Sequence, residues 1–187
     1  MYFENRIDSI IRVYRTKYVL PHIECGTTIC DIGCGANPFL LKTINDHITK
    51  GIGLDYLVKN SIYNEKIELK NADLSTIPLP IPNITFDVVT MLAVLEHLNN
   101  PNAVIHECFR ALKPGGKLVL TTPSPASKPI LEAMAKLNLI SREGITDHKH
   151  YFSAKEIIAL LSKEGFTQIK IWHKALGLNT VAVAIKP

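Results

Sequence analysis

Apolar residues along the chain follow two rhythms. Between Phe3 and Leu20 they recur at three- and four-residue steps (Phe3, Ile7, Ile10, Ile11, Tyr14, Tyr18), with Arg6, Arg12 and Lys17 between them and Pro21 beyond. That spacing predicts an amphipathic helix that ends before the proline and packs on the rest of the fold. From residue 27 onward, short apolar runs alternate with helical patterns. Thr28–Ile32 reads as a strand, Pro38–His47 as a helix and Gly51–Asp55 as a second strand. Ile67–Ala72, Phe86–Leu92 and Lys117–Thr122 read as further strands, and Asn102–Leu112 as a helix stopped by Pro114-Gly115-Gly116. Strands alternating with helices predict a parallel sheet covered on both faces.

Near the end, Ser153 and Glu156 have the spacing of a capping box, and Ile157, Ile158, Leu160 and Leu161 form the buried stripe of a helix that Gly165 stops. Two closing strands, Gln168–His173 and Thr180–Ile185, are separated by about six residues around Gly177, which suits an antiparallel hairpin. The expected fold is therefore α/β: a doubly wound, Rossmann-like, seven-stranded sheet, mostly parallel, in one domain over residues 1–187 with its N-terminal helix within 1–22. Residues 123–152 form an insertion, with three prolines, an apolar run Ile130–Ile140 and the polar stretch Ser141–Gly144. It leaves the carboxyl end of the strand Lys117–Thr122, where open α/β sheets place their ligands, so it reads equally as a lid or substrate wall and as a connecting helix.

Composition narrows the class. With 47% apolar and 20% charged residues, the 187-residue chain can bury a full core. No apolar run approaches the roughly 20 residues of a membrane span. The first residues lack the pattern of a secretory leader, so the expected location is the cytoplasm. Cys25, Cys30, Cys34 and Cys108 match no zinc-knuckle spacing and are expected to be reduced. Lys and Arg exceed Asp and Glu by four but are scattered along the chain, so no nucleic-acid partner is expected. The oligomeric state is not written in the sequence.

The chemistry centres on Asp31-Ile32-Gly33-Cys34-Gly35, at the end of the first strand. A strand, Gly-x-Gly and a helix make a mononucleotide-binding turn, because glycine lets the backbone turn sharply and lets a ligand approach. Pro38 stands where a dinucleotide fingerprint carries its third glycine, and no lysine follows the last glycine. Asp31 would repel a pyrophosphate but attract a ligand bearing an ammonium and a sulfonium. Asp55, twenty residues beyond Gly35, stands where an acid accepts hydrogen bonds from ribose hydroxyls. Asp73, after the third strand, is placed for an adenine amino group, with the backbone of Leu74 reading the adjoining ring nitrogen. Any one of these acids can serve as a turn or helix cap. Three at successive strand ends predict one site, for S-adenosylmethionine.

With Gly53-Leu54-Asp55, Asn71-Ala72-Asp73-Leu74, Phe86-Asp87-Val88-Val89, Leu95-Glu96-His97-Leu98 and Leu112-Lys113-Pro114-Gly115-Gly116, the chain resembles the class I S-adenosylmethionine-dependent methyltransferases, type 11 branch, over roughly residues 27 to 122. The resemblance implies that Gly33 and Gly35 hold the methionine end of the cofactor, Asp55 the ribose, and the backbone of Leu92 the cofactor. The Leu-Glu-His-Leu stretch is similar to that of ubiquinone-pathway O-methyltransferases and of small-RNA 2′-O-methyltransferases, in which an acid three residues before the Glu helps bind a divalent metal. Here that residue is Ala93, which leaves Glu96 and His97 as two neighbouring ligands, and no metal is expected.

Methyl transfer to a hydroxyl or amine gains from a general base, and histidine is the commonest at neutral pH. His97 is the first candidate, followed by His148 and His150 in Asp147-His148-Lys149-His150; the resemblance places His150 in the acceptor pocket. The predicted activity is methylation of an oxygen or nitrogen of a small-molecule, glycan or lipid-linked acceptor. The alternatives are an RNA 2′-O-methyltransferase and a non-catalytic adaptor that keeps the cofactor fold.

Overall fold

The computed structural model describes residues 6–187. The chain runs α1 (Arg6–Val19), β1 (Thr27–Ile32), α2 (Phe39–Thr43), β2 (Ile48–Asp55), β3 (Ser61–Ile62), β4 (Ile67–Asn71), β5 (Phe86–Leu92), α3 (Pro101–Ala111) and β6 (Leu112–Pro123). It continues through α4 (Lys128–Lys136), α5 (Arg142–Thr146), α6 (Ala154–Glu164), β7 (Thr167–Lys174) and β8 (Asn179–Ile185). The predicted helix start at Phe3 lies outside the described residues.

One sheet is formed, in the order β3-β4-β2-β1-β5-β6-β8-β7. The strands from β4 to β6 pair in parallel, and β8 is antiparallel to both β6 and β7. The sheet has eight strands rather than seven. The extra one, β3, is two exposed residues pairing antiparallel with β4 at the edge (Ser61 opposite Leu69, Ile62 opposite Glu68), too short to show a period. The helix expected over Pro38–His47 is confined to Phe39–Thr43, because the chain turns at Ile44 and His47 donates its N–H back to the Ile44 carbonyl (2.8 Å). The closing hairpin is tighter than expected, since β7 extends to Lys174 and β8 starts at Asn179.

Alternation along the central strands builds two cores. Cys30, Ile32, Val89, Met91, Leu118 and Leu120 face one side, where Ile105 and Cys108 of α3 and Ile157 and Leu161 of α6 cover them. Ile29, Val88, Val119 and Val183 face the other, against Val19 of α1 and Leu40 and Leu41 of α2. Complete burial of a side chain such as Ile29 or Ile32 contributes about 1.5–3 kcal/mol each. The cap of α6 is as predicted: Ser153 Oγ accepts from the Glu156 N–H, Glu156 returns a carboxylate to the Ser153 N–H, and Gly165 ends the helix with φ +100°. The free Cys30, Cys34 and Cys108 are buried, and burial raises their thiol pKa values, so they act as packing groups.

From β1 the chain winds to β2 on one side, and β5 lies on the other, so the carboxyl ends of β1 and β5 flank the topological switch point where open sheets bind ligands. Above it runs the N-terminal half of α1. Arg12 stacks its guanidinium on Phe39 (4.7 Å to the ring centroid), and Asp8 Oδ2 accepts from the Ser141 N–H at 3.2 Å. Among the described residues no helix is long and apolar enough to cross a membrane.

Candidate active site

The turn after β1 is pinned to β2 from two directions. Gly33 and Cys34 donate their N–H groups to the Leu54 carbonyl (2.8 and 3.0 Å). Gly35 donates to Asp55 Oδ2, and Asp55 Oδ1 accepts from Leu57 N–H, both at 2.9 Å. Asp55 is thus buried with each oxygen already bonded once, and each retains lone-pair capacity for a further donor such as a ribose hydroxyl. Both glycines adopt left-handed backbone (φ +74° and +73°) for different reasons. A Cβ on Gly33 would lie 2.3 Å from Val94 Cγ2, whereas one on Gly35 would meet nothing within 4 Å, which leaves an open cradle beside the backbone. Gly33→Ala therefore combines left-handed strain with overpacking and should destabilise the fold by roughly 2–4 kcal/mol. For a chain of this length, that lowers the melting temperature by roughly 10 °C. A melting temperature within a degree of the parent would contradict the Val94 contact.

Asp31 lies opposite Gly53 on β2 and Thr90 on β5 and is 3% exposed. Thr90 Oγ1 donates to its Oδ1 at 2.7 Å, and no cation pairs with it among the described residues. Burial, reinforced by the nearby Asp55 and opposed by the Thr90 hydrogen bond, raises its pKa to about 7. A buried carboxylate held in this way would be stabilised by a positively charged neighbour.

Asp73 lies further out and is exposed. Its Oδ1 accepts from Ser75 N–H (2.8 Å), so it closes a turn, and that bond lowers its pKa. Leu74 is half-buried against the core on the α3 side, and Leu92 ends β5 against the opposite core.

The second cluster follows directly after β5. Ala93 takes left-handed backbone (φ +56°) with its N–H on the Thr121 carbonyl (2.8 Å), and the chain then enters a single helical turn, Leu95–His97. The Glu96 carbonyl accepts from the N–H groups of Lys149 (2.8 Å) and His150 (3.3 Å), which docks the 147–150 segment on this turn. His97 Nδ1 consequently meets Asp147 Oδ2 at 3.2 Å, and His97 and His148 meet edge to face with ring centroids 4.8 Å apart. Hydrogen bonding from Lys149 keeps the Asp147 pKa low, so Asp147 is an acceptor and Nδ1 of His97 the donor, which in a neutral ring leaves the lone pair on Nε2.

His148, rather than His150, is the histidine brought against His97. His150 lines the cavity beneath α4 and α5, but its Nε2 meets Glu156 Oε1 at 2.9 Å, at the cap of α6.

Glu96 is fully buried. Oε2 accepts from Thr122 Oγ1 (3.0 Å), while among the described residues Oε1 has no partner, and neither do the buried Nδ1 of His148 and Nε of Arg15 on α1. Burial raises the Glu96 pKa, with the charges of Arg15 and His97 opposing the rise. Burial, then His97 and Arg15, lowers that of His148 to about 4, so its imidazole is neutral at physiological pH. Glu96, His97 and His148 offer ligand atoms that all lie within 4.8 Å of one another. The expectation of no metal counted two ligands; His148 makes a third. Two of the three donor groups carry an orphaned buried atom, so the set fits a divalent cation.

Sequence reasoning did not find Thr90, Thr122, Asp147 or Arg15. Each is distant in sequence from the group it serves: strand pairing brings in Thr90 and Thr122, the docked 147–150 segment brings in Asp147, and α1 brings in Arg15.

A family model described as a methyltransferase domain matches residues 3–171. A ubiquinone biosynthesis O-methyltransferase of Vibrio parahaemolyticus is 33% identical, covering 86% of this chain and 73% of its own. A protein of the same name from Xanthomonas axonopodis is 27% identical over 92% of this chain and 82% of its own. Among solved structures, a SAM-dependent methyltransferase from Archaeoglobus fulgidus superimposes with a TM-score of 0.71 at 18% identity, covering 95% of this chain and 94% of that one. The match over most of the chain accords with a sulfonium-compatible turn and a histidine-bearing cluster at one sheet edge. The chain belongs to the methyltransferase domain family and is a class I S-adenosylmethionine-dependent methyltransferase.

Proposed function

We propose that this methyltransferase acts on a hydroxyl oxygen of a small-molecule acceptor, with His97 as the general base. The observation that carries the reading is the His97–Asp147 pair beside the end of β5, with Nε2 presented and Nδ1 committed to a carboxylate. The O-methyltransferase names of the ubiquinone-pathway relatives support oxygen over nitrogen and a small acceptor over a glycan.

S-adenosylmethionine supplies a methyl group already activated on a sulfonium, so the protein's chief task is to position the reactants and exclude water. Asp31 balances the positive charge of the methionine end, and the Gly33–Gly35 turn gives its backbone room. Asp55 takes the ribose, Asp73 and the backbone of Leu74 take the adenine edge, and the backbone of Leu92 borders the cofactor. His97 Nε2 accepts the acceptor's hydroxyl proton, and Asp147 stabilises the resulting imidazolium.

The orphaned atoms of Glu96 and His148 favour a second reading of the same cluster. Glu96, His97 and His148 would hold a divalent cation, which would lower the pKa of a bound hydroxyl.

The cofactor part of the reading predicts that adenosylhomocysteine at about 100 times its Kd adds about 2.7 kcal/mol of stability, seen as a rise in melting temperature. The acceptor part is tested by labelled methyl transfer into fractionated extract, with mass identification of the product. An O-methylated small molecule supports it, while label confined to amines or RNA overturns it. Metal content of the purified protein, measured by atomic emission, separates the base reading from the metal reading.

A further inference from the structure

Beneath the lid formed by α4 and α5 lies a cavity of about 790 Å³, within the size range of small-molecule sites. Its wall carries Lys128, Lys136, Arg142 and Lys149 against a single carboxylate, Glu132. That surplus of three stands out in a chain whose total surplus is four. Four of the chain's 21 Lys and Arg residues therefore meet at one cavity.

The four cations are not equally committed. Arg142 donates from Nε and Nη2 to the Ala135 and Lys136 carbonyls (3.0 and 2.8 Å), which caps α4 and fixes the guanidinium in the wall without neutralising it. Lys149 shares Asp147 at 2.8 Å. Lys128 lies over the Tyr151 ring (5.9 Å), and neither it nor Lys136 has a carboxylate partner among the described residues. None of Asp31, Gly33, Gly35 or Asp55 lines this cavity, so its cations are not placed for the carboxylate of the cofactor.

The wall also includes His148, whose ring touches that of His97. Near His148, Arg15 adds a further cation with a buried Nε that has no acceptor among the described residues. A bound molecule with anionic oxygens at Lys128 and Lys136 would share a wall with His148.

Accepting the methyltransferase reading above, we infer that the acceptor is a small anionic molecule, carrying a phosphate or carboxylate held by Lys128 and Lys136 at the end remote from the methylated hydroxyl. A polymer is the poorer fit, because its successive phosphates need a longer row of cations than the four gathered here.

The test uses the protein saturated with adenosylhomocysteine and titrated separately with inorganic phosphate and with benzoate, chloride holding the ionic strength constant. The parent is compared with the Lys128→Gln/Lys136→Gln double variant. Both lysines are exposed, so the variant should fold and keep the parent's affinity for adenosylhomocysteine. The expected result is anion binding in the parent at millimolar concentration, weakened at least fivefold in the variant. Tighter phosphate binding assigns a phosphorylated acceptor, and tighter benzoate binding a carboxylated one. The proposal is overturned if neither anion outcompetes chloride, or if the variant binds both as the parent does. It is equally overturned if a single-stranded oligoribonucleotide binds more tightly than either anion with a steep salt dependence lost in the variant. Failure of the parent to bind adenosylhomocysteine would instead count against the methyltransferase reading itself.

Discussion

Asp31→Asn should weaken S-adenosylmethionine binding about a hundredfold while making the unliganded protein more stable. The two effects share one cause. Asp31 is a buried carboxylate with one hydroxyl donor and a second acid nearby, and its pKa is about 7. Its pKa in the unfolded chain is about 3.9. Between these values the folded protein holds a proton that the unfolded chain has released. Stability therefore falls as pH rises from about 4 to about 7, and the full penalty is present above 7. Asparagine removes that penalty, a gain of roughly 2 kcal/mol at pH 8 after allowance for the relaxation of a buried site. It also removes the attraction for a cationic ligand, which at a few ångströms and an effective dielectric of 20 is about 4 kcal/mol, more than a hundredfold loss requires. In the parent, binding needs the ionised form, so the cofactor Kd should be roughly tenfold weaker at pH 6 than at pH 7.5. Calorimetric titration of both proteins across this range is decisive: a flat profile in the parent, or an undiminished affinity in the variant, would remove Asp31 from the cofactor site.

His97→Ala should lower kcat for methyl transfer by 10²- to 10⁴-fold, the usual contribution of a positioned general base, with cofactor affinity within twofold of the parent. Asp147→Asn should cost less, because it leaves the imidazole in place and removes only the group that fixes its tautomer. The pH profile separates a chemical from a packing role. If His97 is the base, the parent's rate rises with pH along one limb, and that limb disappears in His97→Ala. A variant that keeps the parent's limb would show that another group takes the proton.

These residues differ in how legible they are from sequence. Asp31, Gly33, Gly35 and Asp55 are readable because each stands at the end of an apolar run, and in a parallel sheet all such ends lie on one edge. The α6 cap is readable because its signal spans three residues. The His97–Asp147 pair is not, because its members are fifty residues apart and meet only where Lys149 and His150 hydrogen-bond the Glu96 backbone. The same docking decides between His148 and His150, which spacing alone leaves equivalent. Asp73 shows the opposite limit: its position is readable, but the turn it closes with Ser75 is a role any aspartate after a strand can take. The edge strand β3 carries no periodic signal, and the charged cavity beneath α4 and α5 gathers cations from four places between 128 and 149 that only the folded helices bring together.

Asp55 braces the glycine turn through Oδ2 and the chain after β2 through Oδ1 before any ribose arrives. A grip assembled in advance spends little on ordering, and on the proposed reading it holds the same ribose before and after the methyl group has left. Spent cofactor should therefore compete well with fresh. The group able to tell them apart is Asp31, through the one positive charge that disappears in the reaction. Turnover in a cell would then follow the ratio of donor to by-product rather than the donor level alone, and whatever clears the by-product would set the working rate of this protein.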